Sequence, residues 1–217
     1  FPSVKVSPDF IKELFEREER TLVNFSTIFH VGHCGSTLLA NLLNELPSTL
    51  VLREPPALKW LASYYAEGKS DEEFQQWLRV IGGVVSRQFD PTHKTVLKAS
   101  SWCHTLMQPL LSLSVENRAV FLYIGLREYV VRYFGRRKMD MERSAQKSFP
   151  FFSDVLPPDL ADWEKLEDWQ RATLGWVSKV HGVDRALAVD SEERIHILSF
   201  GELLHRRNAT IHSLTEF

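Results

Sequence analysis

Short apolar runs recur along the chain, each closed by a polar or glycine position and followed by a longer stretch with apolar residues three and four apart. Thr27-Ile28-Phe29-His30-Val31, Leu50-Val51-Leu52, Thr95-Val96-Leu97-Lys98, Ala119-Val120-Phe121-Leu122-Tyr123-Ile124 and Ile195-His196-Ile197-Leu198 have the composition of strands. Residues 36–43, 56–66, 71–88, 102–113, 128–145 and 159–188 have helical spacing, as do residues 8–24, where Glu16-Arg17-Glu18-Glu19-Arg20 spells out a solvated face. Helices of this length between strands imply crossover connections. They predict an α/β fold, a three-layer α/β/α arrangement with a central, mostly parallel sheet. The loop over residues 148–158, rich in proline and aromatic residues, reads either as a packed connector or as a lid over a site.

Composition narrows the picture. With 217 residues, 44% apolar and 25% charged, the chain suits one sizeable core, hence a single domain over residues 1–217 with an N-terminal helical extension over residues 1–25. A formal net charge of −2 supplies no global attraction to nucleic acid or to an acidic membrane, so an anion site has to be local. No apolar run approaches the roughly 20 residues of a membrane span. Two cysteines, Cys34 and Cys103, are too few for a disulfide scaffold and point to a reducing, cytoplasmic setting. The first residue is Phe1, so the start of the chain says nothing about targeting.

Between the first strand and the helix after it lies Gly32-His33-Cys34-Gly35-Ser36-Thr37. In open α/β sheets ligands bind beyond the carboxyl ends of the strands, where this loop falls. Its glycines let backbone N–H groups turn inward, the following helix adds unpaired N–H groups and a positive dipole end, and two hydroxyls add donors. The plainer reading is a strand-to-helix turn with Ser36 as N-cap. A nucleoside triphosphatase would carry a lysine before Ser36 and an aspartate ending an apolar strand, and both are missing, so no magnesium site is evident. A cysteine phosphatase needs an arginine six positions after its nucleophile. Ala40 and Pro109 stand at that distance from Cys34 and Cys103.

The segment Val31-Gly32-His33-Cys34-Gly35-Ser36-Thr37-Leu38-Leu39 resembles the phosphosulfate loop of sulfotransferases that use 3′-phosphoadenosine 5′-phosphosulfate (PAPS), where arginine or lysine precedes Ser-Gly and two hydroxyl residues. Further segments follow in family order. Leu52-Arg53-Glu54-Pro55 resembles the acidic segment after the second strand, Val96-Leu97-Lys98-Ala99-Ser100 the Val-Leu-Lys segment, Leu126-Arg127-Glu128 the Leu-Val-Arg-Asp-Pro of the 3′-phosphate strand, and Leu198-Ser199-Phe200-Gly201-Glu202-Leu203-Leu204 the Tyr-Glu-Asp-Leu-Leu segment. Together they cover residues 27–217 and imply a P-loop-type fold of a divergent, bacterial type.

The resemblance implies roles. Gly32, His33, Cys34, Gly35, Ser36, Thr37 and Leu38 would cradle the donor, Arg127 and the Gly135 position would meet its 3′-phosphate, and Lys98 would sit beside the moving sulfonyl group unless it is a solvated strand end. Glu54 would be the general base that deprotonates the acceptor, which requires a raised pKa; otherwise it is half of a surface ion pair with Arg53. No metal is implied. The acceptor, a small molecule, glycan or peptide with a hydroxyl or amine, is not named by these motifs, and neither is the oligomeric state. Two positions depart from the family: His33 replaces its cation, and Gly135 replaces a serine. Arg132, Arg136, Arg137 and Lys138 are candidate substitutes for that serine. His33 leaves three readings open: weaker or pH-dependent donor binding, a part in proton transfer, or lost activity. Two functions therefore compete with sulfonyl transfer. One is a non-catalytic nucleotide-binding or scaffolding domain, and the other is a small-molecule kinase, which would need a magnesium site. His104 follows the third strand closely, and Trp102 is read as packing.

Overall fold

Among the described residues, five strands line up with their carboxyl ends on one edge. β1 (Ser26–His30), β2 (Thr49–Arg53), β3 (Lys94–Lys98), β4 (Arg118–Tyr123) and β5 (Ile195–Ser199) form a sheet of order β2-β3-β1-β4-β5, and every pairing is parallel. The computed structural model describes residues 24–68, 71–86, 93–135, 138–149, 156–189 and 192–217. The parallel sheet flanked by helices matches the expected α/β class. Its central strands are covered on both faces, so Ile28, Phe29, Leu97 and Leu122 are all buried. The edge strand β5 exposes Ile197.

The helices are α1 (Ser36–Asn44), α2 (Pro56–Ala66), α3 (Asp71–Ser86), α4 (Met107–Ser112), α5 (Leu126–Tyr133), α6 (Lys138–Ser148), α7 (Asp168–Leu187), α8 (Phe200–His205) and α9 (Arg207–Glu216). Three differ from the expected spans. The stretch over 102–113 opens as a 3-10 turn, Cys103–Leu106, before α4. The stretch over 128–145 is two helices, because α5 ends at Tyr133 with Phe134 as C-cap and Gly135 folds its N–H back to the Arg132 carbonyl. The long helix over 159–188 begins only at Asp168, where Glu167 and Gln170 form a reciprocal capping box. The N-terminal helix expected over residues 8–24 falls outside the described residues up to position 23, as do residues 150–155 of the expected loop.

Register fixes where chemistry can gather. Arg53 pairs with Lys98, Ile28 with Lys98, His30 with Leu122 and Tyr123 with Ser199. The residues after each of these positions therefore emerge together above the sheet. No described helix is long and apolar enough to cross a membrane.

Candidate functional site

The loop after β1 has the backbone that its glycines permit. Gly32, His33 and Gly35 have φ of 99°, 50° and 86°, a run of left-handed residues that turns N–H groups toward one concavity. Gly35 is the N-cap of α1 and supplies no side chain, so Ser36 stands inside the helix and the simple Ser36 cap is not what forms. Gly35 is also sterically required. A Cβ there would lie 2.4 Å from the Phe200 ring.

His30 moors this loop to the neighbouring strand. Its Nδ1 accepts from the Gly32 N–H at 3.1 Å and its Nε2 donates to the Ala99 carbonyl at 3.0 Å. Burial, reinforced by the Lys98 charge, pushes its pKa down to about 3, so the ring is neutral and the tautomer fixed. Cys34 turns inward, its thiol donating to the Leu122 carbonyl at 3.3 Å, and burial pushes its pKa up to about 11. Leu38 packs against the core. Neither of these two anticipated residues lines the cavity beside the loop.

Beside the loop opens a cavity of about 760 Å³, and Glu54 stands in it. Glu54 follows β2 with φ of 47°, its N–H held by the Lys98 carbonyl at 2.7 Å. That kink aims the carboxylate across β3. It accepts from Lys98 Nζ at 2.5 Å and Ser100 Oγ at 3.1 Å, and pairs with Lys59 Nζ at 3.2 Å. Partial burial alone would raise its pKa, but the hydrogen bond and charge of Lys98, then the bonds from Lys59 and Ser100, outweigh it and hold Glu54 at about 2. The raised pKa expected of a base is thus not present in this arrangement. Lys98 is 4% exposed, which removes the solvated-strand-end reading. Arg53 is exposed, and the carboxylate is paired with Lys98 and Lys59 instead.

The facing wall comes from α5, α6 and Phe200. Arg132 donates to the His33 carbonyl, and its guanidinium lies 5.5 Å from the Phe200 ring centroid, which places a cation beside the loop. The hydroxyls of Ser101 and Ser144 are 2.7 Å apart and tie α6 to the end of β3. Lys147 lies 4.3 Å from the Trp102 ring centroid, so Trp102 is a cavity wall as well as packing.

Of the anticipated residues, the structure gathers Gly32, His33, Gly35, Ser36, Thr37, Glu54 and Lys98 around one cavity. Arg127 is exposed in the first turn of α5, beyond the end of β4, and does not line it. Gly135 lies just past the α5 C-cap and also stands outside. Of the proposed substitutes for the serine, Arg132 lines the cavity, Lys138 pairs with Asp168, and Arg136 and Arg137 lie outside the described residues. His104 is buried and lines a separate, smaller cavity against α7. Lys59, Ser101, Arg143, Ser144 and Lys147 were not singled out from the sequence. Among the described residues, no group of three or more His, Cys, Asp or Glu is placed to hold a metal ion.

Compared with solved structures, the chain superposes on the sulfotransferase domain from the curacin biosynthetic pathway with a TM-score of 0.58, at 13% identity over 89% of this chain and 72% of that one. The sulfotransferase domain from the Synechococcus PCC 7002 olefin synthase also gives 0.58, at 14% identity over 92% and 74%. The chain has the sulfotransferase fold. No protein-family model matches it, and no curated protein matches it in sequence. Similarity of this degree carries the fold of the sulfotransferase domains, while chemistry has to be argued from the site. Within that fold, the segments containing Gly32, Glu54, Lys98 and Phe200 all meet at the cavity.

Proposed function

We propose that this protein is a sulfotransferase that moves a sulfonyl group from PAPS to a hydroxyl or amine. The observation that carries the reading is the buried Lys98 bonded to Glu54, set beside a left-handed glycine loop. The loop N–H groups, Ser36 and Thr37 suit a phosphosulfate, with Arg132 as the adjacent cation. Arg127 emerges after β4, the neighbour of β1, where a guanidinium can hold the 3′-phosphate.

Glu54 and Lys98 then act as exchange partners. The donor's negative charge competes for Lys98. As Lys98 turns to the oxygen between sulfur and phosphorus, Glu54 loses the partner that most lowers its pKa, and its partial burial makes it a better base. The acceptor oxygen or nitrogen forms its bond to sulfur in line while the sulfur–oxygen bond to phosphate breaks. The acceptor proton passes to Glu54, and Lys98 meets the charge left on adenosine 3′,5′-bisphosphate.

Calorimetric titration with adenosine 3′,5′-bisphosphate tests the donor site. Micromolar binding that Arg127→Ala weakens at least tenfold is the expected result. No binding up to millimolar concentration at pH 6 and pH 8 favours a non-catalytic scaffold, the reading that His33 and the tightly held Glu54 also support.

A further inference from the structure

The cavity has two cations that neither the loop nor Glu54 uses. Five basic side chains line it: Lys59, Lys98, Arg132, Arg143 and Lys147. Lys98 and Lys59 bind Glu54, and Arg132 is bonded to the His33 carbonyl. Arg143 and Lys147 stand one turn apart on α6, both exposed and both on the cavity face, with Ser144 between them bonded to Ser101. Among the described residues neither has a carboxylate within ion-pair distance, and Lys147 rests over the Trp102 ring. Like charges at this spacing repel along a helix. On α6 the cavity-lining carboxylate is Asp140, one turn before Arg143 and two turns before Lys147; an anion placed between Arg143 and Lys147 would offset their repulsion directly.

Resting on the sulfotransferase reading, we propose that Arg143 and Lys147 form an acceptor subsite and that the acceptor is an anionic hydroxy compound bearing a carboxylate or phosphate. Its hydroxyl is presented to Glu54 while the anionic group is held by the two α6 cations, with Trp102 as the apolar wall. The Ser101–Ser144 bond is the strut that sets α6 against the end of β3, so the distance from anion to hydroxyl is fixed by the fold. A guanidinium beside a primary ammonium suits a carboxylate or phosphate held from two sides. Net positive charge in a cleft also steers anionic compounds into it.

The test uses ligand-detected NMR with a panel of hydroxy carboxylic acids, each paired with its methyl ester, and of hydroxyalkyl phosphates, against the full chain. Adenosine 3′,5′-bisphosphate is present at saturation where it binds. Wild type is expected to bind acids or phosphates at least tenfold more tightly than the neutral partners. The Arg143→Gln/Lys147→Gln variant, whose exposed side chains leave the core untouched, is expected to bring that preference below threefold while its bisphosphate affinity stays within threefold of wild type. Carboxylates preferred over phosphates, or the reverse, identify which anion the subsite takes. Equal binding of acid and ester, no binding by any member, or a preference that survives in the variant overturns the proposal. So does loss of bisphosphate affinity in the variant, which assigns the two cations to the donor. Bisphosphate titration of wild type separates this failure from failure of the donor reading itself.

Discussion

Two buried lysines sit in different company. Lys98, at the end of β3, has a carboxylate on its ammonium group, whereas Lys179, inside α7 and fully buried, has among the described residues the Tyr129 hydroxyl at 3.2 Å and the Gly175 carbonyl at 2.7 Å. Burial without a counter-charge pushes the Lys179 pKa down to about 7. The comparison separates a buried lysine bonded to a carboxylate from one that the fold tolerates only by letting the proton go. Lys98 opens onto the cavity. Lys179 is fully buried and braces Tyr129 against α7.

The sharpest break of this comparison is Lys98→Met. In the proposed reaction, sulfonyl transfer is expected to fall by about 10²–10³-fold, the usual cost of losing one preorganised charge stabiliser. Unchanged turnover in a steady-state assay would remove Lys98 from the chemistry.

Lys179→Met is expected to act on stability and not on chemistry. A lysine with a folded pKa near 7 and an unfolded value of 10.5 contributes fully above pH 10.5, and this contribution is lost as pH falls through 7. Wild-type stability should therefore rise between pH 7 and 10 with a Lys179 component of at most about 1.4 kcal/mol per pH unit. In denaturant titrations the methionine variant should lose that component and be the more stable protein at pH 7. Parallel pH profiles for the two proteins would show that Lys179 stays charged.

The smallest effect belongs to Glu54→Gln at acid pH. A carboxylate with a folded pKa of about 2 against an ordinary 4.5 contributes stability above 4.5 and loses it as pH falls through 2. Because the side chain is 40% exposed, solvent screening limits this to about 1 kcal/mol or less. The variant should show a shallower acid limb between pH 4.5 and 2 in thermal melts.

The strands were legible because each is a short β-branched or aromatic run, and every expected strand lies within one residue of an observed one. The loop was legible from two glycines before a helix. Less legible was the facing wall. Residues 128–145 keep helical apolar spacing through positions 134 to 137, so periodicity alone continues one helix where the structure has a break. That break frees α6 to turn Arg143 and Lys147 toward the cavity. Gly135, read from the sequence as a lost phosphate ligand, is found at the end of α5, where a Cβ would meet the Arg132 carbonyl at 3.2 Å. The Lys98–Glu54 bond was hidden for a different reason: it joins side chains 44 positions apart and depends on a left-handed residue at Glu54, which no local propensity announces.

Phe200 ties the glycine loop to the order in which the protein is made. The loop and β1 leave the ribosome early, but the ring that packs against Gly35 arrives only with the segment after β5, the strand that pairs last in sequence. A nascent chain thus carries the glycine loop long before it has the wall behind it. Closure of the loop against Phe200 must wait for a contact 165 positions away in the chain, so, if the loop holds an anion as proposed, that binding reports late folding rather than an early intermediate.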